Sequence, residues 1–200
     1  MKKDAILSED RKYRYCLVKK GGNTMCYNFD FLKKEDKYKD FTYACIEAEK
    51  SLVISYASTA ILARRALELA VKWVFSYDHE LDAPYQDNLA SLIHDYRFKG
   101  IIDTKLFPMI TYIQKLGNKA VHSATPISRD QAVLALRNLF EFISWIDYCY
   151  SDEYEEITFD ESLLGDNEKE RKTRDELKDL YERLGSKDRK LEEIIKENET

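Results

Sequence analysis

Apolar residues recur at three- and four-residue intervals through most of the chain between residues 28 and 150. This spacing is typical of α-helices that bury one face. Of the 200 residues, only six are Gly and three are Pro, while 44% are hydrophobic and 34% are charged. That balance indicates a helix-rich globular protein with densely charged polar faces. The sequence therefore predicts an all-α fold, a bundle of about five helices.

The clearest of these helices should cover Ser58 to Tyr77, with Ser58 or Thr59 as its N-cap. Its broad apolar face makes it the expected central helix of the bundle. A shorter helix from Leu89 should end at Gly100, a residue type that often follows the last helical turn. The full set of predicted helices is roughly 36–54, 58–77, 89–100, 103–117 and 128–150.

Both flanks of this bundle differ from it in pattern. Residues 13–29 alternate apolar and polar side chains around a Gly-containing turn, which predicts a short hairpin that packs on the body or stays disordered. Beyond residue 165 the chain is strongly charged, with leucines at heptad-like spacing, which predicts a solvated or coiled-coil helix. The expected organisation is an N-terminal extension or hairpin at 1–27, a helical bundle at 28–165 and a charged helical linker at 166–200.

Cysteine usage and hydropathy favour an intracellular protein. Cys16, Cys26, Cys45 and Cys149 form no C-x-x-C pair and lie near no histidine at ligand spacing, so we expect reduced, buried thiols and neither zinc nor disulfides. No apolar run reaches the length of a membrane span, and the basic N-terminus lacks the apolar stretch of a signal peptide. The expected location is the cytoplasm, with no membrane partner.

Familiar catalytic motifs are missing from the sequence. There is no phosphate-binding loop, dinucleotide-binding turn, zinc-protease helix or nucleophile elbow. The triplet from Asp103 to Lys105 supplies too few carboxylates for a metal-dependent nuclease. We therefore expect no metal, no cofactor and no complete catalytic set in this segment.

One polar cluster stands out, at a predicted loop over Gly117 to Pro126. Its structural interpretation is that Asn118 and His122 bond the loop to the central helix, and its functional interpretation is that His122, with Asn118, acts as acid or base on RNA. The structural interpretation is favoured. On the central helix, one arginine buried with a glutamate would give specificity rather than catalysis. The candidate cluster is Arg64, Arg65, Glu68, Gly117, Asn118 and His122.

Several of these residues belong to a wider pattern. It includes the run from Asn28 to Glu35, Ala48-Glu49-Lys50, the Arg64 to Glu68 and Val71 to Trp73 segments, the run from Gly117 to His122, and Phe142-x-x-Trp145. This pattern resembles the N-terminal helical domain of type I restriction endonuclease R subunits over roughly residues 25–150. It is also similar to domains of the higher eukaryote and prokaryote nucleotide-binding (HEPN-like) helical fold.

The resemblance implies a non-catalytic accessory module in phage defence. In such proteins a coiled-coil stretch, a nuclease domain and an ATP-dependent DNA translocase follow, so ATP and Mg²⁺ would act downstream of this segment. The implied partners are those domains, the modification and specificity subunits, and DNA through the complex. The resemblance also makes Met25 a candidate start, and the ending at Thr200 within a predicted helix is expected to continue in a longer natural chain.

An enzymatic alternative follows from the HEPN-like relatives, some of which are ribonucleases. Their activity rests on an Arg followed within about six residues by His, whereas here Gln114 stands where relatives often carry Arg, and no His follows Arg137-Asn138. The alternative is a stand-alone, toxin-like ribonuclease, expected to be dimeric, that uses His122. A third hypothesis, nucleic-acid binding through Lys33, Lys34, Lys37 and Lys39, is weakened by the acidic residues between them.

Overall fold

A computed structural model describes residues 27–82 and 86–165 of the chain. Within these residues the regular structure is helical, as predicted, and it forms a packed bundle. No helix in this part of the chain is long and apolar enough to cross a membrane. The α-helices are α1 Lys39–Lys50, α2 Tyr56–Tyr77, α3 Leu89–His94, α4 Tyr96–Ile101, α5 Leu106–His122 and α6 Arg129–Tyr150.

The central position predicted for the second helix is confirmed, because α2 packs against α1, α5, α6 and the short α3. Small side chains at Ala60, Ala63 and Ala70 lie on its buried face and let the neighbouring helices approach closely. The N-cap, however, is Ser55, whose Oγ accepts a hydrogen bond from the Ser58 N–H at 3.3 Å. The helix begins one residue later, at Tyr56, and the prediction of Ser58 or Thr59 as the cap was wrong.

The ends of α1 and α6 match their predicted positions. Short 3-10 helices, Asp36–Tyr38 and Ser51–Val53, extend α1 at both ends so that together they cover 36–53, one residue short of the predicted 36–54. Ser128 caps α6 through a capping box in which its Oγ and the Gln131 side chain each bond the other residue's backbone N–H. The N-cap serine therefore located the start of α6 correctly in the sequence.

The predicted helix over 89–100 is divided in two. The backbone of Asp95 is extended, and its side chain accepts the Arg97 N–H at 2.8 Å, so Asp95 ends α3 and caps α4. Gly100 lies inside α4 rather than after a helix end. A good N-cap residue in the middle of an apolar pattern was enough to break the helix.

The predicted loop from Gly117 to Pro126 is helical in its first half. Helix α5 continues through Gly117 and ends at His122. Glycine usually weakens a helix interior by about 1 kcal/mol, and the predicted helix over 103–117 ended at this residue. The packing of α5 against α2 outweighs this preference.

The segments on either side of the bundle complete its core. Phe29 and Phe31, at the start of a 3-10 helix Asp30–Lys34, place their ring edges against Phe140 on α6. Phe159, in the segment that follows α6, packs on the same Phe140 ring at 5.5 Å. A further 3-10 helix covers Glu161–Leu163. The predicted hairpin and the charged C-terminal helix lie outside the described residues.

Candidate functional sites

Gly117 marks the closest approach of α5 to α2. A Cβ atom at this position would lie 2.5 Å from Arg64 Cβ, 2.8 Å from Arg64 Cδ and 3.0 Å from the Ala60 carbonyl oxygen. Atoms this close would clash, so glycine is required here for packing. Arg64 and Gly117 both belong to the cluster predicted from the sequence, and the aliphatic part of the arginine contacts the glycine in the structure. The Arg64 Nε atom is buried without a hydrogen-bond partner among the described residues.

Asn118 and His122 lie on the last turns of α5 instead of in a loop. They are four residues apart and therefore share one face of the helix, where Asn118 is half-buried and His122 is exposed. Within the described part of the chain, neither side chain makes a hydrogen bond or an ion pair, so they do not tie a loop to α2. Lys115, three residues before Asn118, lies on the same face.

The expected burial of an arginine with Glu68 is wrong. Glu68 pairs with Lys72, one helical turn away, at 3.1 Å. Arg64 is half-buried and Arg65 is exposed, and neither reaches Glu68. An i,i+4 pair between Glu and Lys forms within one helix at little entropic cost, which explains why Glu68 bonds Lys72.

A buried carboxylate on α1 meets the segment that precedes the bundle. Glu49 is 4% exposed, and its Oε1 accepts both the Asn28 N–H at 3.1 Å and the Asn28 side-chain amide at 2.9 Å. Asn28 also donates to the Asp160 carbonyl and accepts the Asp160 N–H. Burial raises the pKa of Glu49 to about 7, against the lowering effect of the Asn28 hydrogen bonds. These contacts fasten the segment before α1 to that helix and join it to the segment after α6.

A second buried charge, Asp147 on α6, is held by a lysine from the N-terminal segment. Lys34 Nζ lies 2.8 Å from Asp147 Oδ2 and also donates to the Glu153 carbonyl. Burial raises the pKa of Asp147, while Lys34 lowers it. The pair is structural, because both partners are enclosed, with side-chain exposures of 12% and 1%.

An open groove of about 530 Å³ lies where the C-terminal ends of α2 and α6 meet. Its walls include the aromatic side chains of Tyr77, Trp145 and Tyr150. The Tyr150 ring contacts Tyr77 at 5.8 Å and Trp145 at 6.2 Å, both edge to face. The groove lies about 20 Å along α2 from the contact of Gly117 with Arg64. It is therefore a separate site from the cluster predicted from the sequence.

Two carboxylates, Asp78 and Glu80, line the same groove. Asp78 accepts the Tyr150 hydroxyl at 2.6 Å and the Glu80 N–H at 2.8 Å. Burial and the bond to Asp78 raise the pKa of Tyr150, so the tyrosine remains a neutral donor. The carboxylate is thereby fixed in position beside the aromatic wall.

Cys149 also lines this groove, and it is exposed, which corrects the expectation of buried cysteines. Burial of the thiol group and the nearby Asp78 raise the pKa of Cys149, so the thiol stays protonated and is a poor nucleophile. Cys45 is buried, as expected, and Cys16 and Cys26 lie outside the described residues. No group of three metal-ligating side chains occurs among the described residues.

This groove was not predicted from the sequence. Tyr77 and Tyr150 are each the last residue of a long helix. Their meeting depends on the two C-terminal ends lying together, which no local pattern reveals. The Asn28 to Glu49 contact could have been suspected, because both residues belong to the pattern that carried the family resemblance.

Comparison with known proteins gives one family. Residues 46–183 match the family model described as a domain of unknown function, DUF4145. Neither the search of curated proteins nor the search of solved structures found a match. The matched segment includes α2, α5, α6 and the groove between the ends of α2 and α6, and it covers more than half of the chain. The chain therefore belongs to the DUF4145 family.

Proposed function

We propose that this chain is a non-catalytic helical module, the N-terminal accessory domain of a type I restriction endonuclease R subunit. The observation that carries the proposal is the contact of Gly117 with Arg64 and Ala60. The first residue of the run from Gly117 to His122, which is central to the resemblance, serves helix packing rather than an open catalytic site. On this proposal the protein works in the cytoplasm, and ATP and Mg²⁺ act in domains downstream.

The surface around that contact supports a role in binding. Arg65 is exposed on α2, and Lys115 is exposed on α5. Neither forms an ion pair within the described part of the chain, whereas Lys34, Lys37 and Lys72 all do. Unneutralised cations attract an acidic partner and increase the rate of association. We infer that this surface contacts the modification or specificity subunits, or DNA held by them.

Binding to purified modification and specificity subunits from the same genome tests the proposal. We expect this chain to elute with them in size-exclusion chromatography. Arg65→Glu should weaken the complex at low salt, while Lys105→Glu, an equal charge reversal at an exposed position at the opposite end of α5, should not. Absence of any complex with these subunits would contradict the proposal.

A second candidate, a ribonuclease, is favoured by one observation. His122 is exposed and shares a face of α5 with Asn118 and Lys115, so an RNA phosphate could reach all three. Incubation of the chain with single-stranded RNA tests this candidate. Cleavage that disappears in His122→Ala would replace the first proposal, whereas intact RNA would leave the accessory role as the remaining candidate.

A further inference from the structure

The groove between the ends of α2 and α6 combines three features that favour a positive ligand. Its aromatic wall of Tyr77, Trp145 and Tyr150 presents ring systems whose faces attract cations. Its two carboxylates, Asp78 and Glu80, add negative charge. Among the described residues that line it, none is a lysine or an arginine.

Helix geometry adds to this charge. Both α2 and α6 end at the groove, with Tyr77 and Tyr150 as their last residues. The C-terminal end of a helix carries a partial negative charge because its last carbonyl groups point outward. Two such ends side by side favour a cation further.

The same aromatic cluster already holds one ammonium group of the protein. Lys37 Nζ lies 5.9 Å from the centre of the Tyr77 ring and 5.6 Å from that of Tyr38. Its charge is neutralised by Glu35 at 2.6 Å and Asp152 at 3.3 Å. It therefore offsets little of the attraction that Asp78 and Glu80 exert on a second cation.

A catalytic use of the groove is less consistent with its chemistry. Cys149 and His79 both line it, but no hydrogen bond joins them in the structure, and the Cys149 thiol is kept protonated. A thiolate nucleophile needs the opposite environment, with a nearby positive charge. The groove is thus better suited to binding than to covalent chemistry.

We propose that this groove binds an alkylated ammonium group, with Trp145 and Tyr150 as its aromatic wall and Asp78 as its counter-ion. The ammonium group could belong to a free quaternary amine or to a methylated lysine side chain of a polypeptide. The proposal is independent of the accessory role in a restriction enzyme.

Calorimetric titration of the full chain with choline tests the proposal at constant ionic strength. We expect saturable binding, and no binding of 3,3-dimethylbutanol, the neutral molecule of the same shape. A peptide that carries trimethyl-lysine forms the second arm. Binding of choline assigns the site to a free amine, and binding of the peptide alone assigns it to a polypeptide, so either result supports an ammonium site.

Matched variants locate the binding. Trp145→Leu and Asp78→Asn should each weaken it roughly fivefold or more, while Glu47→Gln, which removes an exposed carboxylate on α1, should leave it unchanged. Circular dichroism of each variant shows whether the bundle is intact, and Trp145→Phe, which keeps an aromatic ring, should retain most of the affinity. Equal binding of the neutral analogue, no binding of either cation, or unchanged affinity in Asp78→Asn would overturn the proposal.

Discussion

Asn28 donates two hydrogen bonds to a single oxygen of Glu49, one from its backbone N–H and one from its side-chain amide. The other carboxylate oxygen, Oε2, is buried and accepts no hydrogen bond from the residues that the structure describes. In the protein interior, an ionised carboxylate with hydrogen bonds to only one of its two oxygens has an unfavourable free energy. Burial of the carboxylate, which the Asn28 hydrogen bonds offset only in part, raises the pKa of Glu49 from its ordinary 4.5 to about 7.

The first prediction concerns the pH dependence of stability at Glu49. Because the folded state holds this proton more tightly than the unfolded chain, the contribution of Glu49 to stability falls as the pH rises from about 4.5 to 7. Glu49→Gln resembles the protonated acid and keeps an oxygen that accepts from Asn28. We expect the variant to match the wild type near pH 4.5 and to exceed its unfolding free energy by about 1 to 3 kcal/mol at pH 8.

Urea denaturation of both proteins across this pH range measures the difference. The comparison cancels other titrating groups, including Asp147, whose raised pKa acts in the same direction. A variant that is equally stabilised at pH 4.5 and pH 8, or that is less stable than the wild type at pH 8, would contradict the explanation.

The second prediction concerns the contact of α5 with α2. Gly117→Ala should destabilise the protein by roughly 1 to 3 kcal/mol, because the added methyl group meets Arg64 and the Ala60 backbone. This cost outweighs the helix preference of alanine, which is about 1 kcal/mol. Gly100→Ala is the matched control, since no described atom beyond its chain neighbours and the nearby backbone of α4 lies within 4 Å of its Cβ position. Thermal unfolding should show a lower Tm for Gly117→Ala and an equal or higher Tm for the control, and equal shifts would argue against close packing at Gly117.

The third prediction concerns the buried pair of Lys34 and Asp147. Lys34→Met leaves the buried Asp147 charge without its cation and should cost about 3 kcal/mol of stability. Lys72→Met removes a partly exposed pair with Glu68 and should cost less than about 1 kcal/mol. Denaturant titrations measure both losses. Adding Asp147→Asn to Lys34→Met should restore part of the stability, and failure to do so would show that Lys34 acts through packing alone.

The fourth prediction concerns thiol reactivity. Cys149 is exposed but its pKa is raised, so iodoacetamide should modify it slowly at pH 7.5 and faster as the pH increases beyond 9. Cys45 is fully buried and should react only after unfolding. Peptide mass mapping distinguishes these two residues from Cys16 and Cys26. Rapid labelling of Cys149 at neutral pH would mean that its thiolate is stabilised after all.

The all-α fold and four of the long helices follow from local pattern, because apolar periodicity and cap residues such as Ser128 act within a few residues. The failure at Gly117 comes from competition between a local preference and tertiary packing. Gly117 was taken as a helix end, yet its lack of a side chain serves contact with α2. The groove was missed because Tyr77 and Tyr150 are far apart in the sequence and meet only once the helices pack.

The bonds between Asn28 and Asp160 join residues separated by 132 positions. Closing so long a loop has a large entropic cost that only an already assembled core can offset. We therefore expect this connection to form last as the protein folds, after α1, α2, α5 and α6 have packed. Its late closure makes the two flanking segments the first part of the bundle to detach during native-state hydrogen exchange, while α2 retains protection until global unfolding.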